Sequence, residues 1–140
     1  MSVRVTTKTL ASEILKEMEL YTDNVSAAVS KAVDDIAVDS MRKLQATRSA
    51  HGSNVWKRYP LGWTIKRKMP TKGKNKGRKT AIVYNRDHYR LTHLLENGHV
   101  IKNGTGRTYG RTRSFEHIGP VNEEAQKRLE EAIMEAIEKG

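Results

Sequence analysis

From Thr9 to Ala46 the chain has neither proline nor glycine, and its apolar residues fall in helical steps. These are Leu10, Ile14, Met18 and Tyr21, then Val25, Val29, Ala32, Ile36, Ala37, Met41 and Leu44. Spacings of three and four place those side chains on one stripe of an α-helix. A chain of 140 residues is long enough for one core, so the remainder has to pack along that stripe. Thr22-Asp23-Asn24 interrupts the better helix formers, and a short polar side chain there can accept the free N–H groups of a new first turn. The expectation is one long helix kinked at that point, or two helices in line.

The other end carries start signals of its own. Gly119 and Pro120, with proline at the expected first helical position, precede Glu123 and Glu124, where the helix dipole favours negative charge. Val121, Ala125, Leu129, Ala132, Ile133, Ala136 and Ile137 form its apolar stripe, which predicts a helix to about Glu138. Between the two helices the period changes. Gly62 to Met69 alternates bulky and polar residues, and Thr80 to Tyr84 is rich in strand formers, so the two read as antiparallel strands joined by a long loop. Tyr89, Leu91, Leu94 and Leu95 give a short helical turn closed by Asn97-Gly98. Val100-Ile101 and Phe115 to Ile118 read as two further strand pieces.

The fold class expected is therefore α+β: a long N-terminal helix and a C-terminal helix packed on a small antiparallel sheet with long basic loops. One domain spans 1–140, with an N-terminal arm at 1–8 and flexible loops at 47–61, 70–79 and 102–114. No internal repeat is present. No segment reaches the run of about 18 apolar residues that a membrane span needs, and the first residues lack the apolar stretch of a signal peptide. The absence of cysteine removes disulfides and thiolate chemistry.

The formal net charge is +10, and its distribution matters more than its size. Residues 41–120 hold 19 lysines and arginines against Asp87, Glu96 and Glu116, so the two ends of the chain are acidic and the middle strongly basic. Lys66, Arg67, Lys68, Lys72, Lys74, Lys76, Arg78 and Lys79 run together with no carboxylate among them. Such a cluster repels itself, and a polyanion relieves the repulsion while releasing its own condensed counterions. A solvated loop, or one paired with acidic patches on a neighbouring subunit, is the plainer alternative. No recognition helix, zinc finger or RNA-binding signature accompanies it, so base-specific reading is not expected.

The order of short motifs along the chain resembles the tailed-phage head-to-tail joining family, also called neck or tail-completion proteins. The resemblance rests on Tyr89-Arg90-Leu91-Thr92-His93-Leu94-Leu95-Glu96-Asn97-Gly98-His99, followed by His117-Ile118-Gly119-Pro120 and a helix rich in Glu and Ala. The long first helix, the Gly62-Trp63 strand, the Leu-Glu-x-Gly step at Leu95 to Gly98 and the proline before the last helix occur in the family's order. The chain departs from many relatives at Thr47 to Ser53, where they have a proline and a Thr-Gly pair. The resemblance implies a structural virion protein, assembled in the host cytoplasm, that forms a ring, expected to be a hexamer. That ring joins the portal-side connector or adaptor to the tail tube or tail terminator around the channel for genomic DNA. It implies no enzyme activity; no cofactor and no membrane partner are expected either. Lys66 to Lys79, with Arg107, Arg111 and Arg113, are then the expected channel-facing or nucleic-acid-facing cations. Trp56, Tyr59, Tyr89, Leu95 and Glu96 are the expected subunit contacts.

Two other functions are open to the same residues. A stand-alone nucleic-acid-binding protein uses basic loops on a small sheet in the same way. A metal-dependent nuclease needs a ligand set, and His93, Glu96 and His99 lie three apart, although Gly98 should end the helix before His99 joins that face. Gly73 to Thr80 superficially follows a phosphate loop but has three residues between its glycines where four are required, and no lysine after the second. Trp63 and Tyr84 are expected in the core.

Overall fold

Thr6 starts the first helix by a reciprocal cap: its backbone N–H donates to Thr9 Oγ1 at 2.6 Å and its hydroxyl accepts from Thr9 N at 3.3 Å. The structure is a computed structural model that describes residues 6–47, 57–74, 76–98, 100–102, 104, 106 and 108–140. From Thr7 to Gln45 helix α1 continues without a break, a length of roughly 58 Å at 1.5 Å per residue. The interruption expected at Thr22 does not occur. The Thr22 hydroxyl donates to Met18 O at 2.9 Å inside the helix, so the polar side chain is satisfied without starting a new turn.

A 3-10 turn at Tyr59–Gly62 leads into β1, Trp63–Lys68, which pairs antiparallel with β2, Thr80–Asn85. Helix α2 spans Thr92–Asn97, β3 Val100–Lys102 pairs with β4 Thr108–Arg111, and α3 runs Ile118–Lys139. The architecture is α+β, with the expected sheet divided into two separate two-stranded ribbons. Among the described residues no helix is long and apolar enough to cross a membrane.

Helix α3 lies antiparallel along the C-terminal two thirds of α1. At one end Arg128 reaches Asp39 at 2.6 Å and Glu124 reaches Lys43 at 2.6 Å. At the other, Tyr21 Oη donates to Ile137 O at 2.8 Å. The core is Leu44, Tyr59 and Trp63, with Met41, Val83, Leu95, Ile118 and Val121 packed around it. Beside it a cleft of about 310 Å³ remains between α1, α3 and the first ribbon, bordered by Ile36, Val83, Val121 and Leu129.

Three sequence expectations are corrected. Residues 57–61 are not a free loop: Tyr59 and Pro60 are buried, because a large aromatic gains more from the apolar core than from water. Phe115 to Ile118 is not a strand. The chain from 112 to 117 is irregular, and α3 begins at Ile118, two residues before Pro120, because the Glu96 carboxylate accepts the first N–H groups. The strand that pairs with β3 instead lies inside 102–114, a segment expected to be a loop. Residues 48–56 lie outside the described residues.

Candidate nucleic-acid interface

Strand pairing decides which cations face outward. Trp63 stands opposite Asn85, Ile65 opposite Val83 and Arg67 opposite Ala81, and this face turns toward α1. Thr64 stands opposite Tyr84, Lys66 opposite Ile82 and Lys68 opposite Thr80, and this face is the outer one. Burial in β2 alternates accordingly, with Ala81 and Val83 half-buried and Ile82 and Tyr84 exposed. Trp63 is in the core as expected. Tyr84 is not: it lies on the outer face, 37% exposed, because the register puts it one residue out of phase with Val83.

The basic run divides into two sets. Asp34, on α1, accepts from Arg67 Nε at 2.9 Å and also from Lys79 Nζ. These two cations anchor the loop end of the ribbon to the long helix. Lys79 first, then Arg67, hold the Asp34 carboxyl below the usual carboxylate range. Lys66 and Lys68 on the outer face, and Lys72, Lys74, Lys76 and Arg78 at the tip, are exposed and make no ion pair among the described residues. The tip is closed by Gly77 N donating to Pro70 O at 2.9 Å and Lys76 N to Gly73 O at 3.1 Å. Gly73 and Gly77 both have positive φ, at 86° and 76°, and so allow the turn. A closed loop of this kind presents four cations from a ribbon fixed to the body, an arrangement suited to a phosphate backbone or another dense array of negative charge.

Because Asp34 is ionised and paired, its contribution to holding the ribbon is full above the unfolded value of about 3.9 and is lost as pH falls through its depressed folded value. Asp34→Asn is expected to speed amide hydrogen exchange in β1 and β2 while α1 and α3 stay protected. Equal protection of the ribbon in wild type and variant would show that the anchor is idle.

The remaining expected site residues are scattered. Arg111, on β4, donates to Asn97 O at 3.2 Å and so ties the second ribbon to α2. Arg113 is exposed beyond it. Arg107 and Trp56 lie outside the described residues. Tyr89 is exposed, with Arg90 over its ring at 5.6 Å, and stays available as a contact.

Tyr59 is corrected from subunit contact to core: it is 1% exposed and stands edge-on to Trp63. Leu95 is half-buried against the same core. Glu96 works within the chain. Its Oε2 accepts from His117 N at 2.8 Å and Ile118 N at 2.9 Å, and its Oε1 from Gly119 N at 2.7 Å. Burial alone would raise its pKa, but the three N–H donors outweigh burial and hold it below the usual range. His117, 3% exposed, faces Glu96 Oε2 at 2.9 Å through Nδ1, which also lies 2.7 Å from Phe115 O. With the proton on Nδ1, Nε2 accepts from Tyr59 Oη at 2.8 Å. Burial, with the Glu96 charge behind it, pushes the Tyr59 phenol up, so it keeps its proton and donates.

This Tyr-His-Glu relay is enclosed and offers a substrate no approach to the tyrosine. Among the described residues no group of three or more His, Asp or Glu side chains is placed to hold a metal ion. His93 is exposed and His99 lies outside the described residues. Asp34 and the capping role of Glu96 were not anticipated from sequence. The only available signal for the cap was an isolated carboxylate in a basic stretch ahead of a helix start.

Compared with known proteins, the chain matches no family model, no curated protein and no solved structure.

Proposed function

We propose that this chain is a structural component of a tailed phage's head-to-tail junction, acting by assembly around the DNA path and not by catalysis. The observation that carries the reading is the first ribbon: four cations at a closed tip, without an ion pair among the described residues, on strands whose loop end is clamped to a helix of 39 residues. Beside it stands the ordered resemblance from the long first helix to the proline of the last. In a ring of such subunits the tips line a channel, where they counter the phosphates of passing DNA without reading its bases. The acidic helices form the scaffold.

Mass spectrometry of purified virions is expected to find the chain. A phage lacking its gene should accumulate DNA-filled heads and free tails that join when purified protein is added. Normal virions formed without the chain would overturn the reading.

A stand-alone nucleic-acid-binding protein is the second reading, and the exposed Tyr84 on the same face as Lys66 and Lys68 favours it, since an aromatic among lysines can stack a base. Replacing Lys72, Lys74, Lys76 and Arg78 with Ser, and leaving Lys79 in its pair with Asp34, should weaken DNA retention without loss of folding. The slope of log affinity against log salt should fall by about 0.9 for each phosphate contact removed. An unchanged slope would exclude the tip from both readings.

A further inference from the structure

The apolar stripe that α3 covers on α1 does not stop where α3 stops. The last residue, Gly140, backs onto Val25 and Tyr21, yet the stripe runs on through Met18, Ile14 and Leu10. Met18 is 60% exposed, and Ile14 and Leu10 about half. Glu13 and Glu17 border this stretch. Among the described residues Glu13 pairs only with Lys16, at 3.8 Å and with both side chains well exposed, and Glu17 has no ion pair. The outer face of the first ribbon has the opposite character, with exposed Ile82 and Tyr84 beside the unpaired Lys66 and Lys68.

We propose that the projecting N-terminal part of α1 docks on the outer face of the β1–β2 ribbon of a second copy of this chain, Leu10, Ile14 and Met18 against Ile82 and Tyr84, and Glu13 and Glu17 against Lys66 and Lys68. The dimensions agree. Four residues of helix separate the two carboxylates by about 6 Å, and two residues of strand separate the two ammonium groups by about 6.6 Å. The same chain cannot make this contact. Its ribbon is anchored to α1 at Asp34 by the inner face, roughly 24 Å along the helix from Met18 at 1.5 Å per residue, and its outer face points away. A symmetric helix-to-helix pairing would leave Lys66 and Lys68 unanswered.

The docking uses a different patch on each partner, so it is heterologous. Repeated around an axis that closes, it builds a ring. It supplies the subunit contact for the junction reading and rests on that reading only for closure.

Sedimentation of the full chain, freed of nucleic acid, tests it. Wild type should associate. The double variant Glu13→Lys/Glu17→Lys and the double variant Lys66→Glu/Lys68→Glu should each associate at least about tenfold more weakly, with unchanged circular dichroism and melting. Mixing the two variants should restore association, because every contact between unlike variants then pairs opposite charges. A wild type that stays monomeric overturns the proposal. So does undiminished association of the Lys66→Glu/Lys68→Glu variant, which would indicate helix-to-helix pairing, or a mixture that regains nothing. None of these failures touches the virion experiment, which decides the junction reading separately.

Discussion

Glu96→Ala is expected to lower folding stability by about 3 kcal/mol, measured as a shift of the urea unfolding midpoint at neutral pH. One carboxylate serves the backbone N–H groups of His117, Ile118 and Gly119. Alanine leaves those donors at the start of α3 without an acceptor and removes a negative charge from the positive end of the helix dipole. It also takes away one of the two acceptors facing His117 Nδ1.

Glu96→Gln is the sharper comparison, since it keeps one carbonyl acceptor and should cost about half as much. It should also alter the acid response. The folded-state pKa of Glu96 is depressed, so its contribution is complete above the unfolded value of about 4.3 and disappears as pH falls through the folded value. In the Gln variant that part of the acid destabilisation should be missing. A Glu96→Ala protein as stable as wild type would show that water replaces the cap at no cost.

The second large effect is expected at Tyr59. Tyr59→Ala should cost about 4 kcal/mol, because the ring is fully enclosed between Trp63 and His117 and its loss opens a cavity beside a core of few large side chains. Tyr59→Phe keeps the ring and removes only the hydroxyl, leaving the buried His117 Nε2 without its donor, and should cost about 1 to 2 kcal/mol. Thermal unfolding of the two variants separates packing from hydrogen bonding. If Tyr59 instead served a subunit contact, both variants would change association and leave the melting of the dissociated protein unaltered.

The two helices were legible because helical periodicity is a local property. The stripe from Leu10 to Leu44 specifies α1 whatever packs on it, and the stripe from Val121 to Ile137 does the same for the last helix. Both strands of the first ribbon were legible locally too, β1 from its alternation of bulky and polar residues and β2 from its run of strand formers. The start of α3 was displaced from Pro120 because the signal that sets it, Glu96, lies 22 residues from Ile118 in sequence. Nor could Thr22 be placed: the same hydroxyl can cap a new turn or bond back to its own helix, and here the unbroken α1 takes the second course.

The candidate site was legible as a composition and not as a surface. Eight cations from Lys66 to Lys79 are plain in the sequence, but which of them are free is a question of partners. Asp34, 33 residues from Arg67 and 45 from Lys79, pairs with two of them and leaves the tip and outer face exposed. Likewise Tyr59 and Tyr84 are each an aromatic near a run of lysines, and the fold buries one and exposes the other. The sequence by itself determined where helices and strands form and that the middle of the chain is basic, because periodicity and charge are carried by neighbouring residues. Only the tertiary structure decided which face of the ribbon meets α1, which carboxylate caps α3 and how much of α1 projects uncovered, because each depends on contacts between residues far apart along the chain.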